Sequence, residues 1–190
     1  MERLKLRGIL PWSFLLILLA LKIQTSRTTD NPAATATATP TSSTTADLWR
    51  VKDGSIYDGD TLRMVRGSEE LKIRFCGIDA PEKDQALGVE ARDHLRSLVA
   101  QGDGSVMVVP IEEDRYGRTV AELFIPLADG SEIFLNGQMV TDGYAYHYEQ
   151  YSDSCPNQFV LVEGEAIAQS SRVGVWARNY QLPWEYRKSQ

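Results

Sequence analysis

Asp58-Gly59-Asp60-Thr61, Arg74-Phe75-Cys76-Gly77-Ile78-Asp79-Ala80-Pro81-Glu82 and Asp114-Arg115-Tyr116-Gly117-Arg118 hold most of the chemistry this chain can do. They combine carboxylates, arginines and tight turns. Carboxylate and carbonyl oxygens suit a hard divalent cation such as calcium. The planar fork of an arginine can bind two oxygens of one phosphate. Together the segments supply what is needed to hold a cation and attack a phosphodiester. Each segment alone reads as a turn or loop with solvated charges; the three in this order point to a site.

Asp60, just past the turn, can present its carboxylate to a cation. Asp79 and Glu82 follow directly on the strand that carries Arg74 and can approach the same centre. Pro81 biases Ala80 towards an extended backbone, which exposes the Ala80 carbonyl. Arg118 leaves the Gly117 bend at the start of the next strand. The spaced ligands of an EF-hand loop are absent. The only cysteines, Cys76 and Cys155, and the only histidines, His94 and His147, do not have zinc spacing.

These residues need a scaffold. The chain has 190 residues, enough for one domain with its own core. Leu71 to Phe75 alternates apolar and polar, as a half-buried strand does, with Arg74 on the polar face. Ser105 to Ile111 and Thr119 to Ile125 read as further strands, and Asp129-Gly130 as a turn before Glu132 to Leu135. Trp49 to Val65 reads as a hairpin turned at Asp58-Gly59. Ala91, Leu95, Leu98 and Val99 share one helical face, and Phe159, Val162, Ala166 and Ile167 share another. Gly143 ends a short helix begun near Leu135. Short strands and three small helices predict an α+β domain; a five-stranded barrel and an open sheet both fit the periodicity.

Residues 1–23 open with Arg3, Lys5 and Arg7 and continue in the mostly apolar run Ile9 to Leu21. The run is shorter than the roughly 20 residues of a spanning helix. It reads as a signal peptide or an uncleaved N-terminal anchor, so the domain is expected to be exported, secreted or tethered outside the cytoplasm. Residues 24–46, rich in Thr, Ser, Ala and Pro, read as a flexible linker before a folded domain at 47–187. Five of the 20 Lys/Arg and two of the 26 Asp/Glu precede residue 47, which leaves 15 against 24 and a net charge of −9. Such a domain repels a polyanion at long range, which argues against tight passive binding of nucleic acid. No obligate protein partner is evident.

With these motifs in view, the domain resembles the staphylococcal-nuclease-like (thermonuclease) family over most of Trp49 to Ala177. The resemblance rests on DGDT at 58–61, IRFCGIDAPE at 73–82, DRYGR at 114–118, and weaker matches at Gly143-Tyr144-Ala145 and Gly174-Val175-Trp176. It implies an OB-fold five-stranded β-barrel with three α-helices, and a calcium-dependent phosphodiesterase acting on DNA and RNA that leaves 3′-phosphates. Asp60, Asp79 and the Ala80 carbonyl would be the Ca2+ ligands, Glu82 the general base, and Arg74 and Arg118 the phosphate clamps. Tyr146 and Tyr148 fall near the family's base-stacking tyrosines; as core or rim aromatics they would have no such role. Cys76 and Cys155 form a disulfide or remain two buried thiols. The competing readings are a non-catalytic OB-type module that binds nucleic acid or protein, and a calcium-stabilised interaction domain.

Overall fold

The computed structural model describes residues 48–190. The segments read as signal or anchor and as linker, and Asp47, lie outside the described residues.

Alternation builds the barrel wall. In β2 (Thr61–Arg66), Leu62 and Met64 point inward, and in β3 (Glu69–Phe75), Ile73 and Phe75 do. These strands pair antiparallel with Thr61 opposite Arg74 and Leu62 opposite Ile73. That register puts the apolar pair in the core and leaves Arg74 on the other face, beside the residue that follows Asp60. β1 (Leu48–Val51) joins β2 to β5 (Ser105–Glu113), and β5 pairs with β6 (Thr119–Pro126). A parallel β3–β6 pairing, with Arg74 opposite Val120, closes a five-stranded mixed barrel. This is the OB-type α+β architecture expected from the motifs. The register of β5 shifts between Pro110 and Glu112, where a proline without an N–H suits a bulge. β7 (Glu132–Phe134) extends the sheet beyond β6. The β1–β2 connection runs from 52 to 60, longer than a tight hairpin at Asp58-Gly59.

Three helices cover the barrel. α1 (Gly88–Val99) buries Ala91, Leu95, Leu98 and Val99, the face read from its periodicity. α2 (Leu135–Thr141) buries Leu135, Met139 and Val140, and Gly143 follows with φ +75°. Asn136, fully buried at its start, donates to the carbonyls of Cys76 and Ala121 and accepts from Leu123 N–H. It ties the helix to the strands where β3 and β6 part. A short fourth helix, α4 (Pro183–Lys188), was not expected.

α3 (Gln158–Ser171) corrects the sequence reading. Its buried residues are Leu161, Gly164 and Ala168, whereas Phe159, Val162 and Ile167 are exposed, at 67%, 53% and 46%. The cause is close approach to α2. A Cβ on Gly164 would lie 2.5 Å from Thr141 Oγ1, and one on Gly137 would lie 2.9 Å from Val160 Cγ1. Small residues, not the bulkiest apolar ones, select the packed face.

The start of α3 is fixed to the barrel twice. Cys76, at the end of β3, forms a disulfide with Cys155, across a sequence separation of 79. Glu122, buried in β6, accepts from both the backbone N–H and the side-chain amide of Asn157, each at 2.7 Å. A carboxylate at a helix N-terminus is favourably placed. Finally, β4 (Ile78–Asp79) pairs with β8 (Tyr146–His147), which sets Asp79 opposite Tyr146. Replacing both cysteines by alanine is expected to lower unfolding stability by about 4 kcal/mol, the chain-entropy value for a loop of this length. Urea unfolding under non-reducing conditions checks it; an unchanged midpoint would show that the bridge contributes nothing.

Candidate active site

The DGDT turn and the DAPE loop meet through the smallest possible side chains. A Cβ on Gly59 would lie 2.7 Å from the Ala80 Cβ and 2.9 Å from the Ala91 Cβ, so only glycine lets the turn press against the loop. Asp58 shapes the turn by accepting from Asp60 N–H at 3.1 Å. Asp60 in turn accepts from Ala80 N–H through Oδ2 at 2.6 Å and from the Thr61 hydroxyl through Oδ1 at 3.1 Å. The two motifs, twenty residues apart, therefore share one hydrogen-bonded edge.

Arg74 bridges the acids. One guanidinium nitrogen is ion-paired with Asp60 Oδ1 and another donates to Asp79 Oδ1 at 2.8 Å. Asp79 is fully buried, and Asp60 nearly so. A second guanidinium, that of Arg187 in α4, donates to both oxygens of Asp79, at 3.0 and 2.7 Å, and to Glu82 Oε1 at 2.7 Å. Glu82 is partly exposed, and Gln85 Oε1 accepts from its backbone N–H at 3.1 Å.

The remaining candidates are held by partners of their own. Arg118 is held within its own turn: it is ion-paired with Asp114 Oδ2 at 2.7 Å, and Asp114 N–H donates to the Arg118 carbonyl at 2.9 Å. Gly117 takes φ +69° at the bend. Burial pushes the Asp114 carboxyl up, but hydrogen bonds from Arg118 and Tyr116 outweigh it and hold the group below its usual range. Tyr146 is buried, its hydroxyl donating to the Val175 carbonyl at 3.3 Å, and burial pushes its pKa up to about 12. Tyr148 is half-buried, stacked on Trp184 at 4.9 Å and 5° and edge-on to Tyr151.

The acids crowd one another. Asp58 is raised to about 7, first by burial and then by the charge of Asp60. Burial also raises Asp79, against the hydrogen bonds from Arg187 and the charge of Arg74. For Arg74 burial disfavours the cation, but Asp60 and Asp79 outweigh it and raise its pKa. The cluster thus holds more negative charge than its arginines relieve.

Carboxylate and carbonyl oxygens of this kind suit a hard divalent cation. A carboxylate offers roughly four acceptor positions. Asp60 uses its own on Arg74, Thr61 and Ala80, and Asp79 on Arg74 and Arg187, which leaves room on Oδ2 of each. Among the described residues, no three Asp, Glu, His or Cys side chains converge as a metal cage. The candidate set is therefore two carboxylates and the Ala80 carbonyl, completed by water.

Two participants escape the motif reading. Asp58 reads as a turn residue, and only its burial beside Asp60 gives it a raised pKa. Arg187 lies over a hundred residues from its acids, on a tail whose only signal is the short apolar and aromatic group Leu182, Pro183, Trp184 and Tyr186.

The raised pKa of Asp58 has a consequence for stability. A carboxyl raised in the folded state favours folding while it is protonated, and that contribution is lost as pH rises from 3.8 towards 7. Asp58→Asn keeps the acceptor for Asp60 N–H and removes the charge. In chelator it should melt above the parent at about pH 8 and lose that advantage by about pH 4. Thermal unfolding at both pH values checks it; no gain at the higher pH would contradict the crowding.

The chain is similar to proteins already known. The family described as "Staphylococcal nuclease homologue" matches residues 72–178. A protein of Shigella flexneri named micrococcal nuclease is 36% identical over 139 residues, covering 70% of this chain and 78% of that protein. A Haemophilus influenzae protein named as an uncharacterized endonuclease is 34% identical over 137 residues, 71% of each. A probable staphylococcal-like nuclease of rice is 42% identical over 131 residues, 66% of this chain, which spans 36% of that longer protein.

Proposed function

The chain belongs to the staphylococcal nuclease homologue family, and on that premise we propose that it is an exported, calcium-dependent nuclease that hydrolyses phosphodiester bonds of DNA and RNA. The observation that carries the reading is the Arg74 bridge. One guanidinium holds two buried carboxylates together, with a glutamate three residues beyond one of them.

In this reading Asp60, Asp79 and the Ala80 carbonyl hold the cation. When bound, calcium supplies positive charge against the scissile phosphate and makes water more acidic. Glu82 takes the proton of the attacking water; a positioned carboxylate is worth about 10²–10⁴ in rate. Arg74 donates to the phosphate oxygens as charge builds on them, and Arg118 reaches the same phosphate by exchanging Asp114 for it. Preorganised donors of this kind are worth about 3–4 kcal/mol each. Tyr148, partly exposed and stacked on Trp184, is read as the aromatic that meets a base, whereas Tyr146 is buried.

Export is supported by the basic start, the apolar run and the Thr/Ser-rich segment of the first 46 residues, and by the Cys76–Cys155 bridge. A segment that stays uncleaved would tether the enzyme to a membrane. Among the described residues no helix is long and apolar enough to cross one. The acidic surface implies a weak grip on long polymers and a high KM.

Hydrolysis of single-stranded DNA and of RNA, with calcium or with chelator, tests the proposal. Cutting should require calcium and fall by about 10²-fold or more in Glu82→Gln and Arg74→Ala. Intact polymer under calcium, with the protein folded, would favour the non-catalytic binding module instead.

A further inference from the structure

The second guanidinium at the acids is that of Arg187, not Arg118, and it comes from α4, beyond the 72–178 region that matches the family. We infer that Arg187 is a positioning residue for Glu82, supplied by the C-terminal helix. The inference rests on the reading of Glu82 as general base.

Glu82 sits on a loop and is partly exposed, so the strand preceding it does not fix its carboxylate. Asp79 is a fixed point, buried in β4 and held by Arg74. Arg187 joins the two. One nitrogen donates to Asp79 Oδ1 at 3.0 Å and to Glu82 Oε1 at 2.7 Å, and the other donates to Asp79 Oδ2 at 2.7 Å. A planar fork across two carboxylates sets the direction of the exposed one from the buried one. It also relieves the repulsion that two adjacent anions would otherwise feel.

The helix carrying Arg187 is anchored independently of it. Pro183 is buried, Trp184 stacks on Tyr148 and meets the edge of Tyr146 at 5.8 Å, and Gln85 Nε2 donates to the Gln181 carbonyl at 2.5 Å. Gln85 also accepts from Glu82 N–H, so the Glu82 loop and the tail are joined at a second point. Removing the Arg187 side chain therefore leaves the fold and the docked helix intact while it frees Glu82. With Arg187 in place, Asp79 Oδ2 accepts one hydrogen bond from it, which leaves a further acceptor position.

Steady-state hydrolysis of single-stranded DNA by the full chain under saturating calcium tests this, with Arg187→Ala, Arg187→Lys, Glu82→Gln and the Glu82→Gln/Arg187→Ala double variant. Arg187→Ala should lower kcat by about 10- to 100-fold with KM within about twofold, and lysine should restore part of it. In the Glu82→Gln background, Arg187→Ala should add no further loss, because its effect runs through that carboxylate. The thermal midpoint of Arg187→Ala should stay close to the parent's. Losses that multiply in the double variant, a change confined to KM, or higher activity in Arg187→Ala would overturn the inference and leave Glu82 as base. Full activity in Glu82→Gln would instead remove the general-base reading on which it rests.

Discussion

One guanidinium holds together two carboxylates that would otherwise repel each other. Arg74, largely covered near the end of β3, is ion-paired with Asp60 on one side and Asp79 on the other. An uncompensated charge in such a place is costly, so the acids and the arginine depend on one another. Much of the surrounding structure serves to deliver these groups to one point. The β2–β3 register sets Arg74 opposite Thr61, the parallel β3–β6 pairing holds the strand from its other side, and β4–β8 fixes Asp79. Gly59 lets the Asp60 turn sit directly on the Ala80 loop.

The balance of charge there is incomplete: four carboxyl groups face two guanidiniums. Asp58, half-buried beside Asp60, adds a carboxyl that favours its proton up to about pH 7. A divalent cation would relieve the same crowding that raises this group, so affinity for the ion and strain among the acids have one origin. The C-terminal helix completes the arrangement from the far end of the chain. Its aromatic anchor, Trp184 on Tyr148, brings Arg187 onto Asp79, where it shares Oδ1 with Arg74 and also reaches Oδ2.

Much of this was legible in the sequence because it is local. Alternation in Leu71 to Phe75 set Arg74 off the core, and the spacing of Ala91, Leu95, Leu98 and Val99 named the buried face of α1. What stayed hidden depends on contacts between distant segments. The apolar stripe Phe159–Val162–Ile167 faces outward because Gly164 and Gly137 let α3 and α2 approach by another face, and periodicity carries no information about the partner. Arg187 has no local pattern at all; its role comes from the path of the tail. Tyr146 and Tyr148 are two residues apart, and which one lies buried follows from the β4–β8 pairing, not from their spacing.

The central claim is that the carboxylates gathered by Arg74 form a cation site. Calorimetric titration of calcium into the protein, beside Asp60→Asn and Asp79→Asn, tests it without recourse to activity. The account predicts a single saturable site in the parent whose affinity falls by at least about tenfold in each variant, the loss of one charged ligand. Undiminished binding in both variants would place calcium elsewhere and contradict the account.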